Sequence, residues 1–461
     1  MKQFKDELPH LLNSLVFLLL IFIGGILFFI LPKETISEDE KRKLAQVPAF
    51  TYSNFISGKL TDSLDRYYSD NFIFRNRLIS IANRIKEYTG FKNQEIRFYN
   101  KPKVETADDT EIETPSVEKA SDTTGVDSTS NNIPKIHAGP EEYSDINSVI
   151  IYKKMAVQLY GGSNKALKNY ANMILHYKEE LSPDMKIYCI TFPVGADFFL
   201  PNHFNKTREK TSIDYFYSVL HPSIISVKSY DEIEKHKDEY IQFNTDHHWT
   251  GRGAYYAYMA FCEAAGIQSV PMDQMTRKVI PNFLGTLYYY TLCNDLKENI
   301  DSVEYFKIPT NTKTYYFMSG MTNAKPSTLY AEHSRGGNSY GVFLGLDYPL
   351  MRIISEVKNG KKILVLKDSY GNAFIPFLPS HYEEVFVIDY RYFDGNIKEL
   401  VQKYGIAEIA FAHNLVVFNS SYAVKRETSL LYSLYTKPYQ NSTPKTIKTD
   451  STIKKKHKKA S

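Results

Sequence analysis

The stretch Lys362-Ile363-Leu364-Val365-Leu366-Lys367-Asp368-Ser369-Tyr370-Gly371-Asn372-Ala373-Phe374 decides the fold. Ile363 to Leu366 is a short unbroken apolar run bounded by lysines. Such a run reads as a strand buried on both faces, and strands of that kind belong to a parallel sheet covered by helices. Asp368, Ser369 and Gly371 then end the strand, and the chain turns into what reads as a helix. Ser369 therefore stands where a buried strand gives way to the next element. That position exposes a hydroxyl at the sheet edge, near backbone N–H groups that could stabilise an oxyanion. A serine at such a place more often only caps a helix. It becomes a candidate nucleophile if the chain supplies a base and a carboxylate.

Working outward, residues 143–436 alternate strand-like and helical runs. Ser148 to Tyr152, Met185 to Pro193, Glu384 to Ile388 and Ala407 to Phe411 read as strands, and Ala166 to Leu181 as a helix. The expected fold class is α/β, a sheet with helices on both faces. Sites in such sheets gather at the C-terminal ends of the strands. That rule selects the loops at Pro193, Asp368, Asp389 and His413. The Tyr-rich region 270–350 is less regular and carries no motif readable from physics.

The base and carboxylate come from Phe243-Asn244-Thr245-Asp246-His247-His248-Trp249-Thr250, which holds the chain's single Trp. Thr250 is placed to cap a helix that runs to a stop at Gly266. Asp246 and His248 make the orienter and base of a nucleophilic triad, with Ser369 as the attacking group. Read as extended, the motif puts Asp246 and His248 on one face and His247 and Trp249 on the other. On that reading adjacent histidines point apart, and a metal site from Asp246, His247 and His248 is set aside. No metal and no cofactor are expected.

Composition bounds the rest. The net charge of +4 is small for 461 residues and argues against a nucleic-acid-binding protein. The three cysteines form no CxxC pair and read as buried thiols. Leu11 to Leu31 is apolar over about 20 residues, the length a membrane-spanning helix needs. Lys2 and Lys5 precede it, and no small-residue cleavage site follows. The expectation is an uncleaved signal anchor over 11–31 with residues 1–10 cytoplasmic and the rest outside the membrane. A cleaved signal peptide would leave the compartment unchanged. Residues 35–100 read as a helical membrane-proximal segment, with Ser69 to Asn76 as a corner between helices. Residues 101–142 read as a disordered acidic, Ser/Thr-rich insertion, and 437–461 as a disordered basic tail.

Taken together these residues resemble the DHHW family, named for Asp246-His247-His248-Trp249, and through it the alginate O-acetyltransferase proteins with an SGNH-hydrolase-like fold. Further resemblance lies in Ser37 to Pro48, Asp70 to Arg75, Phe192 to Pro201, Ser339 to Gly345, Lys367 to Asn372 and Ile388 to Phe393. It covers about 35–100 and 145–435. It implies an SGNH-hydrolase-like catalytic domain over 143–436, with Asp246 orienting, His248 as base and Ser369 attacking an acyl carbonyl. The order Asp, His, Ser departs from the usual SGNH order, and Lys367-Asp368-Ser369 replaces its Gly-Asp-Ser block. Tyr370, Asn372 and Arg391 are oxyanion or substrate-binding candidates, with Arg391 equally able to pair with Asp389. Trp249 is a wall residue that could stack on a sugar ring, and His247 reads as a packed or hydrogen-bonded neighbour. The implied function is extracytoplasmic O-acetyl transfer to a surface or cell-wall polysaccharide. A membrane-bound O-acyltransferase partner would deliver the acetyl group. An acetyl esterase with the same triad, or a non-catalytic tethered polysaccharide-binding scaffold, remains open.

Overall fold

The computed structural model describes residues 2–33, 36–37, 42–56, 58–75, 77, 78, 81, 85, 96–100, 148–201 and 208–432. The acidic insertion at 101–142 and the basic tail at 437–461 lie outside the described residues.

The central sheet has eight strands: β1 Lys186–Phe192, β2 Ile224–Val227, β3 Thr312–Phe317, β4 Lys325–Ser327, β5 Leu350–Ser355, β6 Lys362–Lys367, β7 Glu384–Asp389 and β8 Glu408–Asn414. Their order is β4-β3-β5-β7-β6-β8-β1-β2. The five strands from β7 to β2 run parallel. β5, β3 and β4 extend the edge antiparallel. The parallel sheet expected from sequence is thus only part of a mixed sheet. Two of the antiparallel strands, β3 and β4, come from the region whose pattern was too irregular to assign.

β6 lies between β7 and β8, and Ile363, Leu364, Val365 and Leu366 are each fully buried. Burying an aliphatic side chain of this size contributes roughly 1.5–3 kcal/mol, so the apolar run is explained by its central place. Alternate residues feed two helical layers. Phe411 of β8 packs on Tyr177 of the helix Asn164–Leu181, their rings 5.0 Å apart. Tyr188 of β1 packs on Phe261 of the helix Gly251–Ala265, at 5.1 Å. Tyr188 sits opposite Ala410, one residue out of phase with Phe411, so the two contacts lie on opposite faces. Helices therefore cover both sides, as expected.

The helix Gly251–Ala265 begins as its sequence indicates. The Thr250 hydroxyl accepts from the Gly253 N–H at 3.2 Å, and Gly266 closes the helix at φ 67°. Ser148–Tyr152 is a strand, but it joins a separate three-stranded antiparallel sheet with Ile96–Asn100 and Met155–Gln158. Within 35–100, Ile36–Ser37 pairs antiparallel with Arg42–Lys43, Tyr52–Ile56 and Lys59–Asn71 are helices, and Ile96–Asn100 is extended and pairs with Ser148–Tyr152. The three cysteines are free and buried.

Lys2–Ile30 is one helix. Among the described residues no helix is long and apolar enough to cross a membrane. The side chains of Leu11, Asn13 and Leu20, inside the span read from sequence, fall outside those described.

The unassigned region supplies three pieces that matter below. Thr276–Phe283 and Asp301–Lys307 form an antiparallel pair. Between them lies the short helix Thr286–Thr291, and further on the 3-10 turn Gly336–Val342.

Candidate active site

The motif loop is bent rather than extended. Gln242 bridges Trp249, and the Phe243 N–H donates to the His248 carbonyl at 3.3 Å, closing a tight loop. Inside it Asp246 Oδ1 accepts the His248 backbone N–H at 2.9 Å and faces His248 Nδ1 at 2.6 Å. An Asp side chain bonding its own backbone two residues on is an Asx turn, which competes with extended structure. The two histidine rings consequently lie 3.8 Å apart instead of on opposite faces. This overturns the alternation expected for the motif.

His248 Nε2 lies 2.8 Å from Ser369 Oγ. Asp246, His248 and Ser369 thus form one hydrogen-bonded line. Its arrangement requires the Nδ1–H to face Asp246, leaving Nε2 to accept from the serine hydroxyl. Burial pushes the Asp246 carboxyl up. The adjacent His248 and His247 rings and the Thr286 N–H outweigh it and hold the carboxyl well below the usual carboxylate range. The Asp246 carboxylate is therefore ionised.

Asp246 is fixed by Thr286, whose backbone N–H donates to Oδ2 at 2.7 Å and whose hydroxyl donates at 3.0 Å. His247 Nδ1 sits 2.6 Å from the same Thr286 Oγ1. With its proton committed to Asp246, that oxygen accepts from His247. Burial, together with the neighbouring His248 and Arg391, lowers His247 to about 3, so its ring stays neutral. His247 is the hydrogen-bonded neighbour expected from sequence.

A deeper layer holds the loop. Asp301, 1% exposed, accepts the Asn244 N–H at 2.8 Å and the Thr245 N–H at 2.7 Å, and bonds the Tyr240 and Thr245 hydroxyls. Thr245 Oγ1 in turn accepts the Gly285 N–H at 2.9 Å. Thr286, Gly285, Asp301 and Tyr340 escaped sequence reasoning, because each lies in the region without periodicity. Tyr340 falls within the quoted Ser339 to Gly345 segment, but nothing in the sequence gave it a role.

On the Ser369 side, Asp368 accepts the Tyr370 N–H through Oδ1 and the Asn414 N–H through Oδ2, both at 2.7 Å. This ties the Ser369 turn to the end of β8. The Gly371 N–H donates to the Asp368 carbonyl and the Asn372 N–H to the Ser369 carbonyl. The expected supply of free N–H groups after Ser369 is therefore spent inside the turn. Among the described residues the Ser369 N–H itself donates to nothing.

The remaining candidates have defined places. Trp249 is 1% exposed, packs 4.3 Å from the Phe192 ring and donates Nε1–H to the Tyr370 carbonyl at 3.0 Å. It is an internal wall and has no free face for a sugar ring, which corrects that expectation. The Tyr370 hydroxyl donates to the His247 carbonyl, so it is already engaged. Arg391 pairs with Asp389 at 2.8 Å and with Asp347 at 3.0 Å, and Lys367 bridges the same two carboxylates at 2.7 Å each. Burial works against the Asp347 charge, but Lys367 and Arg391 hold its carboxyl well below the usual range. Asn372 Nδ2 donates to Asp347 at 2.8 Å, and its Oδ1 is buried without a partner among the described residues.

Ligand atoms of Asp246, His247 and His248 lie within 4.8 Å of one another. The adjacent histidines therefore do not point apart, because the Asx turn brings them together. Both His248 nitrogens, however, are occupied by Asp246 and Ser369. The donor set fits a hydrogen-bonded line better than it fits a metal.

A carboxylate, an imidazole and a serine hydroxyl in line at the C-terminal edge of a parallel sheet is an arrangement used for acyl transfer through a serine. The chain belongs to the DHHW protein family, whose sequence model matches residues 109–388 and spans the Asp246-His247-His248-Trp249 motif. A DHHW family protein from Eubacterium siraeum DSM 15702 is similar in structure, with 29% identity and a TM-score of 0.58 over 62% of this chain and 97% of that one. Bacillus cereus PatB1, solved with a sulfonyl adduct, shares the fold at 19% identity and a TM-score of 0.51, over 60% of this chain and 97% of that one. The O-acetyltransferase domain of Pseudomonas putida AlgJ is a looser match. Its identity is 12% and its TM-score 0.34, over 60% of this chain and 96% of that one, too loose to build on. A search of curated proteins returns no match.

Proposed function

We propose that this protein is a serine-dependent O-acyltransferase, moving an acetyl group onto a hydroxyl of a bacterial surface or cell-wall polysaccharide. The observation that carries the reading is the line Asp246–His248–Ser369, with contacts of 2.6 and 2.8 Å at the end of β6. The motif resemblance to the alginate O-acetyltransferase proteins supports the acetyl group and the polysaccharide acceptor.

The first half-reaction starts from an activated acyl ester or thioester. Ser369 Oγ bonds to the acyl carbon as its proton passes to His248 Nε2, and the carbonyl pair moves onto oxygen. When that pair returns, the donor's leaving group departs with the proton from Nε2. In the second half, an acceptor hydroxyl gives its proton to Nε2 and bonds to the acyl carbon. Ser369 Oγ is released and regains the proton. Asp246 stays ionised throughout and stabilises the imidazolium. A sheltered site is needed so that a sugar hydroxyl, not water, completes the second step.

In this reading the apolar stretch 11–31, read from the sequence as a signal anchor, holds the chain in the cell membrane as a single pass with the sheet domain outside. A membrane-bound O-acyltransferase partner supplies the acetyl group from within.

The test uses the full-length chain in detergent, as wild type and Ser369→Ala. Both are incubated with an activated acetyl ester, quenched early and read by intact mass and acetate release, with and without oligosaccharide acceptors. An acetyl adduct confined to the wild type and passed to a sugar is the expected result. Acetate release without transfer indicates the esterase. No adduct on folded wild-type protein points to the scaffold.

A further inference from the structure

We propose that Tyr340 is a positioning residue that clamps the general base by its ring and the nucleophile turn by its hydroxyl. This rests on the acyl-transfer reading above. The Tyr340 ring lies against the His248 ring with centroids 4.0 Å apart and 13° between planes. Its hydroxyl donates to the Ser369 carbonyl at 2.9 Å. One side chain thus touches both halves of the Ser369–His248 hydrogen bond, halves that are 121 residues apart in sequence. It approaches from a third segment, the turn Gly336–Val342.

The clamp is itself rigid. Phe343 and Phe243 meet the Tyr340 ring edge-on at 5.3 and 6.2 Å. Burial, with the Asp246 charge nearby, pushes the phenol far above its ordinary pKa, so the hydroxyl stays protonated and keeps donating. The hydrogen bonds of His248 fix its two nitrogens but leave the ring face to be held by packing. The phenol supplies a flat partner on that face. It also acts when charge develops. As His248 takes the serine proton it becomes a cation, and a cation over an aromatic face is stabilised by the ring quadrupole.

The other groups facing His248 are Asp246 at Nδ1, the His247 ring at 3.8 Å and the Tyr370 ring at 5.1 Å, with Arg391 and Asp347 within electrostatic reach of His247. Tyr340 adds a contribution that a hydrogen-bonding partner cannot replace.

Two substitutions separate the two contacts. Tyr340→Phe keeps the face and removes the bond to Ser369. Tyr340→Leu removes both. Full-length wild type and both variants, in detergent, are mixed with an activated acetyl ester, and the rate of acetyl-Ser369 formation is followed by intact mass from pH 5 to 9. Circular dichroism checks the fold of each. For Tyr340→Leu the plateau rate is expected to fall about tenfold, the scale of a desolvated cation–aromatic contact. Its pH midpoint is expected to move to lower pH, because the imidazolium loses a stabilising neighbour. For Tyr340→Phe the midpoint stays at the wild-type value and the rate falls only about threefold, the loss of one neutral hydrogen bond.

Tyr340→Leu acylating at the wild-type rate and midpoint overturns the inference. So does a midpoint shift in Tyr340→Phe equal to that in Tyr340→Leu. Should Tyr340→Leu not fold, Tyr340→Met carries the same comparison. Absence of any adduct on folded wild type is a different failure. It removes the acyl-transfer reading, and this inference with it.

Discussion

Gly285 and Asp246 are packed backbone against side chain. A methyl group on Gly285 would lie 2.2 Å from the Asp246 Cβ and 2.5 Å from its Oδ2. The contact lets the next residue, Thr286, deliver both of its hydrogen bonds to the carboxylate. No left-handed backbone is involved, so the requirement for glycine is purely one of space. Gly285→Ala should displace Asp246 and slow formation of the acetyl-enzyme at least tenfold, while the circular dichroism spectrum stays native. A wild-type rate would show that the loop yields without disturbing the line.

Asp301 holds the motif loop from beneath with a fully committed carboxylate. Asp301→Ala strips the acceptor from the half-buried Asn244 and the buried Thr245 N–H groups. Leaving buried donors unpaired costs about 1–3 kcal/mol each. The expected outcome is a fall of several degrees in the thermal midpoint together with loss of acylation. Unchanged stability would mean that water replaces the carboxylate.

Trp249→Phe should cost about 1–3 kcal/mol of stability, since it removes the indole N–H that satisfies the Tyr370 carbonyl. Because the indole is internal, the KM for an acyl ester or for an oligosaccharide should not change. A raised acceptor KM at unchanged stability would restore the sugar-stacking role.

Glu209 predicts a pH dependence of stability. Its carboxyl is buried, accepts the Val194 N–H at 2.6 Å and the Asp197 N–H at 3.2 Å, and lies near the Asp197 charge, itself paired with Arg208. Burial first, then Asp197, raises its pKa from 4.5 to about 7. An acid whose pKa is raised by folding gives stability that is present below the unfolded value and lost as pH rises through the folded one. Wild type should therefore lose stability between about pH 4.5 and pH 7, by an amount on the order of 3 kcal/mol. Glu209→Gln should flatten that slope. Parallel curves for the two proteins in thermal unfolding against pH would refute the assignment.

If the line Asp246–His248–Ser369 carries the reaction, dialysis against a chelator should leave acetyl-Ser369 formation at full rate. Loss of activity, restored by a divalent cation, would instead favour a metal held by Asp246, His247 and His248.

The sequence alone determined the local parts. The apolar run of β6 and the break at Asp368 place Ser369 at a strand end, because burial on both faces admits no polar residue until the sheet edge. Thr250 and Gly266 bound their helix through backbone hydrogen bonds made within one turn. Asp246 and His248, two residues apart, meet through a local turn, so their pairing was legible even though the extended conformation assumed for it was wrong. Only the tertiary structure decided that His248 reaches Ser369. It also decided that Thr286, Gly285, Asp301 and Tyr340 converge on that pair and that Trp249 is sealed inside. Thr286, Gly285, Asp301 and Tyr340 lie in a region with no period to read. Their positions follow from packing against segments distant in the chain, and that packing leaves no mark on the order of neighbouring residues.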